Sequence, residues 1–203
     1  YRDSSQRFYA IDSVSILKSE FASKNDLTIF YRQDNKIVTS KASETAKQPI
    51  LWQENSQLTG DSITIYLEDN NIKQLDVDGT SFMLSRNEYN LERYDQTSSA
   101  QMKIFFTDSK ITRAEFYGNV YSIYFMYDGE TANGLTKSNS AETTVIFENN
   151  EVAEVKLYKN PASEYYPEQQ VTGNEKSYLL PRFVVLQNKP TKEEMYKLLN
   201  ELR

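Results

Sequence analysis

The side chains of this sequence that could do chemistry are mainly carboxylates, because the chain contains no histidine and no cysteine. Asp76 and Asp78 lie two residues apart in an alternating stretch and would share one face of a strand. Asp69, Asp108 and Glu148 each follow a similar apolar segment. Paired carboxylates are the groups that glycoside hydrolases and calcium sites use, so a hydrolytic pair or a calcium site is one interpretation.

The same carboxylates also fit a purely structural role in turns. Asp and Asn favour turns because their side chains hydrogen-bond the backbone nearby, and a residue that recurs once per repeat usually serves the turn. Without histidine or cysteine, Ser-His-Asp triads, thiol nucleophiles and most zinc sites are excluded. The sequence therefore predicts no catalytic residue, no metal site and no cofactor, and it favours a protein that is not an enzyme.

Charge and hydropathy narrow the possible partners. The 203 residues carry 23 Lys and Arg against 29 Asp and Glu, a net charge of −6, and the basic residues are scattered singly. Nucleic acid binding is therefore not expected. Apolar runs are only a few residues long, too short to span a bilayer. The chain begins at Tyr1 rather than Met, so we expect a mature product without its signal peptide, or a part of a longer protein.

Three segments repeat one pattern: an alternating strand, a polar turn and a second alternating strand. The first and second copies are offset by 39 residues, and the second and third by 41. The turns are Glu68-Asp69-Asn70-Asn71, Thr107-Asp108-Ser109-Lys110 and Glu148-Asn149-Asn150-Glu151, and a weaker copy includes Leu27 to Tyr31, Ile37 and Ile50 to Trp52. Alternation between Asn- and Asp-rich turns is typical of β-hairpins. Repeated hairpins cannot bury their apolar faces alone, so neighbours must share a continuous core.

The predicted architecture is all-β, a stack of hairpins in about four repeat units followed by a short C-terminal helix. The units span approximately residues 5–58, 59–97, 98–138 and 139–190, with a capping helix at 191–203. The polar segments 85–96 and 127–140 are interpreted as loops between units.

The two ends differ from the repeats. Apolar residues from Phe8 to Leu17 predict a further strand pair within residues 1–26. After Pro190, Thr191 and Glu194 have the spacing of a capping box at the start of a helix. Met195, Leu198, Leu199 and Leu202 then form an apolar stripe at helical spacing, and we expect this helix to cover the open edge of the last strands.

Several short motifs resemble the OstA-like family, which is related to the LptA/OstA proteins of lipopolysaccharide export. They are Pro49 to Trp52, Ser56 to Ile63, Gly118-Asn119-Val120 and Asn133 to Ser138, within a resemblance that covers roughly residues 5–190. The resemblance implies two sheets that meet like a half-closed book (a jelly-roll or "taco") and a periplasmic protein of outer-membrane biogenesis. It also implies domains stacked end to end as a bridge, with lipid acyl chains in the groove.

The candidate lipid groove is defined by the inward positions of the alternating strands. Its predicted lining is Ile63, Ile65, Leu67, Leu75, Val77, Met102, Ile104, Phe106, Phe116, Val145, Phe147, Val155 and Leu157. The same residues would equally form a closed hydrophobic core, and the pattern alone does not distinguish the two. The resemblance favours a groove.

Three functions follow from this sequence. The first is a periplasmic lipid-binding protein of a transport bridge, with lipopolysaccharide or another acylated lipid as ligand and with transport proteins or further copies added head to tail as partners. The second is a structural or adaptor module that binds an envelope protein through an exposed strand edge. The third is a carbohydrate-binding surface built on some of the 15 tyrosines, among them Tyr117, Tyr121, Tyr124, Tyr127, Tyr158, Tyr165 and Tyr166.

Overall fold

The computed structural model describes residues 6–18, 21–148 and 151–201. It contains twelve strands in one hydrogen-bonded sheet and a few short helices. The strands are β1 (Arg7–Leu17), β2 (Ala22–Tyr31), β3 (Lys36–Ser40), β4 (Ile50–Gln53), β5 (Ser56–Thr59), β6 (Ser62–Glu68), β7 (Asn71–Arg86), β8 (Tyr94–Thr107), β9 (Lys110–Asp128), β10 (Thr131–Glu148), β11 (Glu151–Tyr158) and β12 (Ala162–Tyr166). The helices are α1 (Glu168–Val171), a 3-10 turn (Glu175–Tyr178) and α2 (Lys192–Glu201). The predicted all-β fold is confirmed.

Long strands fold the sheet over on itself along a single crease. Strand pairing shifts register between Ile11 and Val14, between Asp78 and Ser81, and in the corresponding places of β8 and β10. Each shift falls beside two consecutive residues with positive φ. These pairs are Asp12-Ser13, Gly79-Thr80, Gly118-Asn119 and Lys159-Asn160. Irregularities of this kind bend a strand sharply and strengthen its twist.

The crease divides the structure into two halves that face each other. Sheet I contains residues 7–11, 27–31, β3, β6, 71–78, 101–107, 110–117, 142–148 and β11. Sheet II contains residues 14–17, 22–25, β4, β5, 81–86, 94–99, 120–128, 131–140 and β12. This is the half-closed book that the resemblance implied.

The repeated hairpins of sheet I are confirmed by their strand pairing. Leu67 pairs with Ile72, Phe106 with Ile111 and Phe147 with Val152, each one residue pair before the turn. In the first two hairpins the central turn residues have positive φ: Asp69 and Asn70, then Asp108 and Ser109. Two consecutive residues with positive φ define the tight turn whose twist matches the flanking strands. The recurrent Asp residues therefore serve the turns, as the structural interpretation predicted.

The interpretation of residues 127–140 as a loop is wrong for most of their length, whereas that of residues 85–96 holds for 87–93 alone. Residues 94–96 belong to β8, and Thr131 to Ser140 form the first half of β10 in sheet II. In 131–140 the main apolar side chain is Leu135, so the period-two alternation that marks a half-buried strand is missing. Pairing with β9 and β12 on both sides holds this polar segment in the sheet.

Both ends form the elements that the sequence predicted. Strands β1 and β2 are the expected pair. At α2 the Thr191 hydroxyl accepts a bond from the Glu194 N–H at 3.2 Å, and the Glu194 carboxylate accepts one from the Thr191 N–H at 3.1 Å, which is the predicted capping box. The side chains of Leu198 and Leu199, and Leu202 altogether, lie outside the described residues. That the helix covers an open edge stays a prediction, as do the unit boundaries.

Candidate functional site: the cleft between the two sheets

One apolar core fills the space between sheets I and II at the centre of the molecule. It joins Ile63, Val77 and Phe116 of sheet I to Leu58 and Met83 of sheet II, all of them buried. Side chains from both sheets therefore interdigitate, and the cleft is filled by protein atoms in this region. Burying each of these side chains contributes roughly 1.5–3 kcal/mol to folding.

The structure places the predicted groove residues on the inner face of sheet I, with graded burial. Eight are buried: Ile63, Ile65, Leu75, Val77, Met102, Ile104, Phe106 and Phe116. Leu67, Val145, Phe147 and Leu157 are partly buried, and Val155 is 49% exposed. The residues on β6 to β9 thus belong mainly to the closed core, whereas those on β10 and β11 reach solvent.

A single cross-strand row shows this gradient. Strand register aligns Ile65, Leu75, Ile104, Ala114, Val145 and Val155 from β6 to β11. The first four are at most 1% exposed, Val145 is partly exposed, and Val155 is half exposed. Residues aligned across paired strands share one face. The cleft is therefore closed at its centre and opens toward β11.

The facing wall of sheet II changes from apolar to polar toward the same open end. Leu51, Leu58, Met83, Thr97, Ser122, Ser138 and Ser163 form one cross-strand row from β4 to β12. Leu58 and Met83 belong to the shared core, so the whole row faces the cleft. The hydroxyl oxygens of Thr97 and Ser122 lie 3.3 Å apart. The open end of the cleft thus has one apolar wall and one wall of hydroxyl groups.

A second inner row of sheet II carries a carboxyl group and two aromatic rings. Ser85 pairs with Asp95, and further along the row Tyr124 pairs with Thr136, which pairs with Tyr165. The rings of Tyr124 and Tyr165 are 38% and 53% exposed. Part of this wall was missed in the sequence because residues 85–96 and 127–140 were taken for loops, although Tyr124 and Tyr165 were among the candidate sugar-binding tyrosines. The alternating hydroxyl residues Thr136, Ser138 and Ser140 were the signal available for the missed part.

Asp95 has an unusual electrostatic environment in this wall. Its carboxylate accepts a hydrogen bond from the Phe125 N–H at 2.9 Å, which favours the charged form. Burial is the stronger effect and raises the pKa of Asp95 to about 7. The pKa of the nearby Tyr124 is also raised, first by burial and then by the negative charges of Asp95 and Glu151. The charge of Glu151, the first residue of β11, thus also acts on the Tyr124 hydroxyl.

The outer face of sheet II is apolar and is covered by residues 167–187, here called the C-terminal strap. Phe82, Leu84, Ile123, Phe125 and Leu135 form a second core with Val171 and Leu180 of the strap. Buried glutamines hold it in place: Gln96 accepts from the Leu180 N–H and Gln57 from the Leu186 N–H, both at 2.8 Å. The more apolar face of sheet II is therefore its outer face, under the strap, and not the face that lines the open end of the cleft.

An ion-pair cluster fastens the start of the strap. The Arg93 guanidinium, only 3% exposed, binds both carboxylate oxygens of Glu168 at 3.0 and 2.6 Å and one oxygen of Glu175 at 3.0 Å. Glu168 also accepts from the Gly134 N–H at 3.1 Å. The Arg93 hydrogen bond is the main cause of a lowered pKa at Glu168. Arg93 in turn has its pKa raised, mainly by Glu168. The cluster thus joins the β7–β8 loop, β10 and α1.

The carboxylates first considered as a hydrolytic pair lie outside the cleft. Asp76 accepts from Gln74 at 2.5 Å and Asp78 from Gln101 at 2.9 Å on the outer face of sheet I. Within the described residues, no three acidic side chains approach closely enough to hold a metal ion. The same face carries a shallow depression of about 510 Å³ lined by Lys73, Phe105, Arg113 and neighbouring residues.

Comparison with solved structures found eleven similar chains, among them one of a periplasmic transport component. The crystal structure of LptH, the LptA homologous periplasmic component of the conserved lipopolysaccharide transport device from Pseudomonas aeruginosa, is similar with a TM-score of 0.46 and 11% sequence identity. The likeness covers 89% of this chain and 94% of that chain. No protein-family model matches the chain, and no curated protein matches it. Among the described residues, no helix is long and apolar enough to cross a membrane.

Proposed function

We propose that this protein is a non-enzymatic lipid-binding protein that holds acyl chains in the cleft between sheets I and II. The observation that carries the proposal is the graded exposure of the inner face of sheet I. Ile104 and Ala114 are buried, whereas Val145 is partly exposed and Val155 is 49% exposed in the same row. An apolar face that begins as a core and ends in solvent offers a surface on which an acyl chain can continue the packing.

The expected gain in free energy supports acyl chains as the ligand. Each methylene group that leaves water contributes about 0.8 kcal/mol, so a chain covering Phe147, Val155 and Leu157 would be held without specific polar contacts. The position of these residues limits the site to the β10–β11 end. The buried positions on β6 to β9 would contact a lipid only if the sheets separated.

The resemblance to the OstA-like family supports a cellular location and a process for this lipid binding. It suggests a periplasmic protein that belongs to a lipopolysaccharide transport bridge, with lipopolysaccharide or another acylated lipid as ligand. Stacking requires free strand edges at both ends. Among the described strands, β1 pairs only with β2, and β11 and β12 pair only with β10. Further copies or transport proteins could add strands at either end.

A second candidate is an adaptor module without a lipid ligand, and the closed centre of the cleft favours it. Eight of the thirteen predicted groove residues are buried in the core. In this alternative the same free edges bind an envelope protein by strand addition.

Site-specific photo-crosslinking to a lipid distinguishes the two candidates. A benzophenone side chain at Val155 points into the cleft, whereas one at the adjacent Lys156 points away from it; both positions are exposed. We expect lipopolysaccharide or another diacyl lipid to label position 155 at least tenfold more than position 156. A probe at the buried Ile104 should label weakly.

Equal labelling at positions 155 and 156, or no labelling at either, contradicts the lipid proposal and leaves the adaptor function. Unfolding curves of the labelled variants provide the control, because both replacements lie on an edge strand and should leave stability within about 0.5 kcal/mol of the unmodified protein.

A further inference from the structure

The two walls of the open cleft differ chemically, and the difference bears on the polar part of a bound lipid. Sheet I presents Val145, Phe147, Val155 and Leu157 on its inner face. Opposite, sheet II presents the hydroxyl groups of Thr97, Ser122, Ser138 and Ser163. Thr97 and Ser122 hydrogen-bond each other at 3.3 Å. A ligand composed only of acyl chains would offer the wall no replacement for the water it displaces, at a cost of roughly 1–3 kcal/mol for each hydroxyl group left unsatisfied.

The second inner row of sheet II adds groups typical of sugar binding. Tyr124 and Tyr165 expose aromatic rings, which can stack on the apolar face of a sugar. The Tyr165 hydroxyl donates to the Asn133 carbonyl at 2.6 Å, so this ring is held in position. The Asp95 carboxyl group lies in the same row and can exchange hydrogen bonds with a sugar hydroxyl.

The negative charge of this wall disfavours binding of an anionic group of the ligand, such as a phosphate. The inner rows of sheet II between β8 and β12 contain no lysine or arginine among the described residues, and Asp95 carries the formal negative charge. The negative charge of Glu151, at the start of β11, also acts on Tyr124. A phosphate placed here would be desolvated beside negative charge with no cation to pair with it.

We infer that the hydroxyl-rich wall of sheet II binds the uncharged sugar of a glycolipid while sheet I holds its acyl chain. The inference rests on the proposed lipid-binding function and narrows its ligand class. The sugar would stack on Tyr124 or Tyr165 and exchange hydrogen bonds with Ser122, Ser138 and Asp95. Any phosphate on the lipid would remain in solvent outside the cleft.

Three probes with a shared chain or head group test the inference by calorimetric titration of the full chain. They are dodecyl maltoside, dodecyl phosphate and maltose, each below its aggregation concentration at pH 8. We expect dodecyl maltoside to bind at least tenfold more tightly than dodecyl phosphate, and maltose alone to bind more weakly than dodecyl maltoside. Equal or tighter binding of dodecyl phosphate overturns the inference but leaves the lipid-binding function intact.

Variants of the wall identify the residues involved. The double substitution Ser122→Ala with Ser138→Ala removes two neighbouring hydroxyl groups from the cleft and should weaken dodecyl maltoside binding about tenfold. Ser98→Ala, on the outer face of the same sheet, is the matched control and should change it less than twofold. Asp95→Asn should strengthen dodecyl phosphate binding several-fold.

The remaining outcomes are also decisive. If the double variant and Ser98→Ala behave alike, the hydroxyl wall is not the sugar site and the inference fails. If neither dodecyl probe binds to the unmodified protein, the lipid-binding function itself fails. If maltose and dodecyl maltoside bind equally well, the site recognises sugar without the chain, which contradicts a glycolipid ligand.

Discussion

Asp95 shows how a single buried group in the cleft wall affects the stability of the whole protein. Its folded pKa of about 7 lies above the ordinary value of 3.8, so the folded state holds a proton that the unfolded state loses. Stability then falls as the pH rises from about 4 through about 7. Burial and then the negative charge of Asp95 raise the pKa of Tyr124 and Tyr127, and Glu151 also raises the pKa of Tyr124. None of these supplies a cation.

We predict that Asp95→Asn stabilises the protein above pH 7 and removes this pH dependence. Asparagine can still accept the Phe125 N–H bond but carries no charge, so the gain at pH 8 should be about 1–2 kcal/mol after allowance for partial solvent access. Urea unfolding at pH 5 and pH 8 measures it. Asp76→Asn on the outer face is the control, and an equal gain there would contradict the assignment.

Arg93 is a contrasting case, because the terminal nitrogens of this buried guanidinium are paired with the carboxylates of Glu168 and Glu175. We predict that Arg93→Met destabilises the protein by about 3 kcal/mol at pH 7, since Glu168 and Glu175 would lose their shared cation. Lys73→Met removes an exposed ion pair with Glu68 and should cost less than about 1 kcal/mol. Chemical unfolding compares the two variants. Similar losses would mean that the Arg93 cluster does not fasten the strap.

Acidification provides a second readout of the same cluster. Because the pKa of Glu168 is lower in the folded than in the unfolded protein, its ion pair stabilises the fold fully above the pKa of the unfolded state. This stabilisation is lost as the pH falls through the pKa of the folded state. We therefore expect the difference in stability between wild type and Arg93→Met to shrink below about pH 4. A difference that is constant from pH 3 to pH 7 would contradict this.

At the scale of the element, the crease depends on backbone conformations that few residues adopt. Gly79 and Gly118 both have positive φ, and a Cβ at Gly118 would lie 2.8 Å from the Ala100 Cβ. Close approach of neighbouring strands at the bend therefore requires glycine there. The other two crease pairs, Asp12-Ser13 and Lys159-Asn160, have positive φ without glycine.

We predict that Gly118→Ala destabilises the protein by about 2–3 kcal/mol through strain and the clash with Ala100. Gly129→Ala is the matched control, because Gly129 also has positive φ but no heavy atom lies within 4 Å of its Cβ position. It should cost about 1 kcal/mol. Thermal unfolding of both variants separates the clash from the strain, and equal losses would show that Ala100 gives way.

The sequence predicted elements well where a residue pattern and a turn agree. The three hairpins and the capping box at Thr191 follow from alternation, Asp-rich turns and end signals, all of which are local. The sheet II segments 94–96 and 131–140 were taken for loops because they are polar toward the cleft and because the apolar outer face of sheet II is covered by a strap far away in the sequence. Burial of a strand by a segment that is distant in the sequence does not produce an alternating pattern of apolar and polar residues within the strand itself.

The candidate site was predicted only in part, for a related reason. Leu75 and Val155 occupy equivalent inward positions in the repeat, yet one is buried and the other half exposed. Whether a position is core or groove depends on what lies opposite it. For Leu75 that is an apolar wall containing Leu58 and Met83, whereas the same row of sheet II carries hydroxyl groups from Thr97 to Ser163. Alternation within one strand carries no information about this facing wall.

At the scale of the whole molecule, both ends of the folded sheet carry strands with one neighbour each in the described structure. β1 also exposes apolar side chains, with Ile11 68% exposed. We predict concentration-dependent head-to-tail association, measured by sedimentation, and expect Ile11→Lys together with Tyr9→Pro to abolish it, because proline removes an edge hydrogen-bond donor. A monomer at all concentrations would contradict self-addition and leave the ends for other partners.

The stacked arrangement also gives the molecule a modular length. Each hairpin unit contributes two strand segments to each sheet, and adjacent strands are spaced about 4.8 Å apart, so one additional unit would extend the cleft by about 9.6 Å. The cross-section would stay the same, because every unit bends at an equivalent pair of residues. Duplicating or deleting one 39-residue repeat would therefore change how many carbons of an acyl chain fit along the cleft. The chain length of the preferred ligand would then change with the number of units.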